Sequence, residues 1–143
     1  MKKVIFFMSI FLIVFSLVGC NQAGKTDNIK VNVGEYEKFS EKEINQAIDS
    51  VKIKFKGFKG CKLTDIWYDE KKSDKLTQDY MEYGVGKENH TKKENVIVFL
   101  SNFEFGSEGG DGRLEPNSTY TDWQWVVIRD NKTGKWEVKD NGY

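Results

Sequence analysis

The sequence predicts an α+β domain: an N-terminal amphipathic helix and a short second helix packed on a curved, mainly antiparallel sheet of about four strands. Three observations carry this. A helical apolar stripe runs through residues 40–58, strand formers gather in three runs after residue 94, and helical and strand segments are segregated along the chain. Segregation places the helices on one face of the sheet. A sheet curled round its helix leaves a cone-shaped pocket at the open end.

The first helix is the clearest element. Ser40 followed by Glu43 forms a capping box, with Phe39 and Ile44 placed for a hydrophobic staple. Ile44, Ala47, Ile48, Val51, Phe55 and Phe58 recur at helical spacing, and Gly57 and Gly60 supply the stop. The opposite face carries Lys52, Lys56 and Lys59 among other polar residues, read as a solvated face with anionic lipid headgroups as the sharper alternative.

Residues 62–68 follow as a strand and 69–74 as a polar turn. Leu76, Tyr80 and Tyr83 then lie at i, i+4 and i+7, predicting a short helix over 74–83. After a polar loop at 84–94, Val96 to Leu100 is apolar at every position, the pattern of a central strand within 95–105. Further strands are predicted over 120–129 and 135–139, joined by a tight turn at Asp130–Gly134. The connection 106–119 is long and glycine-rich.

The N-terminus speaks to location. Lys2 and Lys3 precede an apolar run that ends Leu17-Val18-Gly19-Cys20, the order of a secretory signal. This ending resembles the lipobox of bacterial lipoproteins, in which the cysteine is lipidated and the chain is cut just before it. The apolar run is shorter than the ~20 residues of a spanning helix. The expected organisation is therefore a signal peptide over 1–19, the lipidated Cys20 with a flexible tether over 20–34, and one domain over 35–143. A tether of that length has an end-to-end distance of about 20 Å, and Ile29, Val31 and Val33 could end it as an edge strand.

Composition adds exclusions. Lys plus Arg and Asp plus Glu are each 22, and loss of Lys2 and Lys3 leaves 20 against 22. Nucleic acid is not an expected partner. Once Cys20 is lipidated only Cys61 remains, so no internal disulfide is possible, and Cys61 reads as a small buried apolar residue. The sequons at Asn89, Asn117 and Asn131 read as turn composition.

Residues 40–143 also resemble a family of small Gram-positive lipoproteins known only as a domain of unknown function. The resemblance rests on Gly60-Cys61-Lys62-Leu63-Thr64, Trp67-Tyr68-Asp69-Glu70, Gly109-Gly110-Asp111-Gly112, Pro116-Asn117-Ser118-Thr119-Tyr120-Thr121-Asp122-Trp123 and the closing Trp136-Glu137-Val138 and Gly142-Tyr143. It implies kinship with cystatin-like or nuclear-transport-factor-2-like cone folds, which host isomerases, dehydratases and non-catalytic binding modules alike. It carries over no catalytic residue.

Three constellations bear on chemistry. Asp65, Asp69 and Asp122 lie near Tyr68, Tyr120 and Trp123, so an Asp in an aromatic pocket is a candidate general base. The plainer reading makes Asp69 a turn opener and Asp122 a strand starter. The single histidine, His90, sits in a polar loop, which disfavours a His-centred triad or a His-rich metal site. Glu104, Glu108, Asp111, Glu115 and Asp122 surround the glycine-rich loop 106–119, which could wrap calcium. Their spacing is not that of an EF-hand, so the plainer reading is a long flexible hairpin loop, no metal site is assigned, and no cofactor is expected. Four tryptophans, at 67, 123, 125 and 136, exceed what one small core needs.

The expected function is a membrane-anchored, non-catalytic module that binds a small molecule or protein. Candidate ligand-binding residues are Trp67, Tyr68, Asp69, Asp122, Trp123 and Trp125. The alternatives are a cone-fold enzyme with Asp122 or Asp69 as base, and a structural envelope protein.

Overall fold

Ser40 and Glu43 start the first helix as their spacing requires. In the computed structural model, which describes residues 22–88, 90–107 and 112–143, Glu43 N–H donates to Ser40 Oγ at 3.2 Å and Ser40 N–H donates to Glu43 Oε2 at 2.7 Å. Helix α1 spans Glu41–Phe55 and buries Ile44, Ala47, Ile48, Val51 and Phe55. Phe58, expected as its last apolar position, lies beyond the helix, where its ring stacks on Phe55 at 5.2 Å. Gly60, at φ +78°, turns the chain into the sheet.

The sheet has five strands in the order β1 (Lys30–Val33), β2 (Cys61–Tyr68), β3 (Val96–Phe105), β4 (Ser118–Ile128) and β5 (Glu137–Gly142). β1 runs parallel to β2 and the remaining neighbours are antiparallel, so the sheet is mixed. The parallel pair is possible because α1 supplies the long crossover that such a pair needs.

Two expectations are corrected here. The sheet has five strands rather than about four, because the alternation of Val31 and Val33 does form an edge strand. It is also neither curled nor closed: β1 and β5 occupy opposite edges. No cone surrounds α1, because the space beneath that helix is filled by Phe55, Phe99, Phe103 and Trp125, all 0% exposed.

The helices lie on opposite faces, not one. On β3, Ile97, Phe99, Phe103 and Phe105 join the core beneath α1, whereas Val96 and Val98 join a second cluster with Tyr80, Val126 and Ile128. Side chains alternate across a strand, so these are the two faces of one sheet. A strand apolar on both faces needs cover on both, and the second helix provides it.

That helix, α2, spans Glu70–Tyr83 and so begins four residues before its predicted start. Asp69 is its N-cap, accepting the N–H of Lys72 at 2.8 Å. The buried face is Ser73, Thr77 and Tyr80, while Tyr83 is 80% exposed. β2 ends before β3 does, and Ser73 Oγ accepts the N–H of Val98 (2.9 Å) where a strand partner is lacking. Within the expected polar loop 84–94, Val85–Lys87 and Lys93–Asn95 form single 3₁₀ turns.

Residues 22–25, part of the stretch read as tether, are hydrogen-bonded to the domain. Gly24 N–H donates to Lys56 O (3.0 Å), Lys25 N–H to Cys61 O (2.8 Å), Gly60 N–H to Gln22 O (3.1 Å) and Leu63 N–H to Lys25 O (2.9 Å). A Cβ on Gly24 would lie 2.0 Å from Phe55 O, so only glycine fits there.

Candidate functional site

The six residues singled out as ligand-binding candidates do not converge on one place. Trp125 is wholly buried beneath α1, and its Nε1–H donates to Ser101 Oγ at 2.7 Å. Tyr68 is 1% exposed and packs on Phe99 at 5.8 Å. Burial, together with the nearby Glu70 and Asp74 carboxylates, pushes its phenol well above the ordinary range. Trp67 points to the other face, half-buried and opposite Leu100. A register shift between Leu63 and Asp65 separates the two parts of β2.

The two candidate bases are both at the surface. Asp69 is exposed and its carboxylate caps α2. Asp122 has φ +55° in the middle of β4; its N–H donates to Asn102 Oδ1 at 3.2 Å, and its side chain, 64% exposed, stands 3.9 Å from Lys72 Nζ. A carboxyl tuned for general-base work at neutral pH is held in an apolar site. Neither Asp is so placed.

Trp123 is the centre of a different grouping. Its half-buried ring meets Tyr143 at 5.1 Å, Phe103 at 5.4 Å, Tyr120 at 5.9 Å and Phe58 at 6.2 Å, all edge-on. Edge-to-face contacts of this kind stabilise by about 0.5–1.5 kcal/mol each beyond area burial. Tyr143 is 75% exposed, so the group opens to solvent as an aromatic ledge beside the end of β5. The Trp123 Nε1–H is buried and has no acceptor among the described residues. The sequence sets Tyr120 beside Trp123 on one strand, but nothing in the linear pattern ties Phe58 and Tyr143 to them.

A depression of about 640 Å³ opens where residues 22–25 meet the start of β2, the end of β3 and the start of β4. Lys25, Cys61, Lys62, Glu104, Ser118 and Thr119 are among the residues that line it. Burial pushes the Cys61 thiol up to about 11, so it holds little thiolate at neutral pH. Among the described residues no three His, Cys, Asp or Glu side chains gather as a metal site. Glu108 and Asp111, weighed above for calcium, lie outside the described residues, as do Asn89 and Cys20.

A profile of the domain-of-unknown-function family DUF4829 matches residues 25–142. The chain belongs to this family. The DUF4829 region begins at Lys25, whose backbone bridges to Lys62 beside β2, and ends at Gly142, the last residue of β5. The family therefore has the limits of the folded unit. No curated protein and no solved structure matches the chain. Among the described residues no helix is long and apolar enough to cross a membrane.

Proposed function

We propose that this DUF4829 protein is a lipid-anchored extracytoplasmic module that binds a ligand or partner without transforming it. The lipobox-like Leu17-Val18-Gly19-Cys20 supports the location. The observation that carries the binding role is the Trp123–Tyr143 ledge. It is an aromatic group open to solvent on one side through Tyr143 and backed by Phe58 and Phe103. Tryptophan and tyrosine give large contact area with a polar handle, the composition of binding surfaces. Kinship with cystatin-like and nuclear-transport-factor-2-like folds enters only as element order, a helix before antiparallel strands; a closed cone is no part of the proposal.

Two experiments test it. For binding, residues 20–143 are titrated with a soluble peptidoglycan digest and with random peptide pools while tryptophan fluorescence is followed. A saturable response that survives Trp67→Phe and vanishes in Trp123→Phe is expected. A flat response to both probes, or one indifferent to Trp123, sinks the ledge. For location, Cys20→Ser in the expressing bacterium should release the protein or block its processing. Unchanged membrane attachment at unchanged mass would remove the lipoprotein reading.

A further inference from the structure

The end of the sheet where the chain enters the domain combines a short leash with positive charge. Gln22 accepts the N–H of Gly60, and Gly24 is locked between the carbonyls of Phe55 and Phe58. Cys20 is two residues before Gln22, and a chain spans at most about 3.6 Å per residue. A lipid on Cys20 therefore enters the bilayer within about 7 Å of the Gln22–Gly60 contact. A free 15-residue tether would have allowed roughly three times that distance.

Around this point stand Lys25, Lys56, Lys59 and Lys62, all exposed. Among the described residues none of the four has a carboxylate within 4 Å. Glu104 lies opposite Lys62 in the β2–β3 register and shares with Lys25 and Lys62 the lining of the 640 Å³ depression. It offsets one charge of the four. Ser118 and Thr119 also line the same depression, and the Ser118 hydroxyl donates to Pro116 O at 3.5 Å.

We propose that this end of the domain, centred on Lys25, Lys56, Lys59 and Lys62, docks directly on anionic phospholipid headgroups of the membrane that holds the protein. The proposal rests on the lipid-anchor reading of Cys20. The short leash leaves these lysines at headgroup depth, well within the ~8 Å over which charges act at physiological salt. Docking fixes the orientation of the domain. The Trp123–Tyr143 ledge packs on Phe58, which lies between Lys56 and Lys59 in the chain, so docking would also fix where the ledge sits relative to the bilayer.

The test uses residues 20–143 with Cys20→Ser, which retain both helices, all five strands and both apolar clusters. Cosedimentation is measured with vesicles of phosphatidylglycerol and phosphatidylcholine (1:1) and with phosphatidylcholine alone. At low salt we expect at least about tenfold preference for the anionic vesicles, lost when the salt is raised past the screening range. Reversing Lys25, Lys56, Lys59 and Lys62 to Glu should lower binding by roughly 600-fold or more, each lysine being worth about fivefold. The same change at Lys71, Lys75, Lys92 and Lys93, also exposed, should leave most of the binding in place. Equal binding to the two vesicle types, or equal loss from both sets of reversals, overturns the docking face. Should the first variant misfold by circular dichroism, the lipid and salt dependence of the wild type still decides. Failure here, with Cys20 of the wild type shown to be lipidated in the expressing bacterium, removes the docking face alone; vesicle binding here, with the wild-type Cys20 shown to be unlipidated there, removes the anchor alone.

Discussion

Arg129 Nη1 donates to Glu43 Oε1 over 2.6 Å, tying the residue after β4 to the first turn of α1, 86 positions away in the chain. The same guanidinium donates to Asn95 Oδ1 (3.3 Å) and Lys132 O (3.1 Å), and lies over the Trp136 ring at 4.5 Å. Its side chain is only 5% exposed. One cation thus joins the helix cap, the start of β3 and the β4–β5 turn.

Arg129→Met should destabilise the domain by about 3 kcal/mol, the cost of leaving a buried network without its cation. Glu43→Gln keeps the reach of the capping box and should cost about 1 kcal/mol. Hydrogen bonding from the Ser40 backbone N–H, and then from Arg129, holds the Glu43 carboxyl below its ordinary value of 4.5. A depressed folded value gives stability that is present above about 4.5 and lost as pH falls through the folded value. Urea melts from pH 6 to pH 3 should therefore show a shallower acid loss in Glu43→Gln than in the wild type. Parallel curves would refute this.

Ser73→Ala removes the oxygen that accepts the Val98 N–H and leaves that donor buried beside α2. The expected cost is roughly 2 kcal/mol, from the desolvation of an unpaired amide. Denaturant unfolding measures it, and faster hydrogen exchange at Val98 locates it. A stability within about 0.5 kcal/mol of wild type would mean that another acceptor takes over.

Gly24→Ala places a methyl group 2.0 Å from Phe55 O and 2.9 Å from Phe58 O. Residues 22–25 should lift from the sheet, at a cost of about 1–3 kcal/mol. The Leu63 and Gly60 amides, which donate to Lys25 O and Gln22 O, should exchange faster, while the α1 amides keep their protection. Unchanged exchange at Leu63 would show that the segment accommodates the methyl group.

The Cys61 thiol, 2% exposed and shifted to about 11 by burial, should resist thiol reagents at pH 8 in the native state. Reaction should be complete within minutes in guanidinium. Rapid labelling of the native protein would contradict both its burial and its shift.

The legible parts of this chain are those whose signals are local. Ser40 and Glu43 identify the first helix because a capping box involves residues three apart. Val96–Leu100 identifies a strand buried on both faces because that property is a run of adjacent apolar residues. The start of α2 is not legible because its first turn, Glu70-Lys71-Lys72-Ser73, is polar like a loop, and only Asp69 as an N-cap distinguishes it. The candidate site was legible in part. Trp123 stood out by type, yet its neighbours Phe58, Tyr120 and Tyr143 come from the α1–β2 turn, β4 itself and the C-terminus.

By itself, then, the sequence determined the capping of α1, the apolar stripe beneath it, the central strand and the lipobox-like entry at Cys20. Tertiary structure alone decided that α2 covers the face opposite α1, that the sheet stays open around a filled core, and that residues 22–25 are bonded to the domain. The physical reason is the range of the interactions. Capping and periodicity are written within a few residues, whereas burial, strand pairing and the meeting of Arg129 with Glu43 depend on which distant surfaces exclude water together.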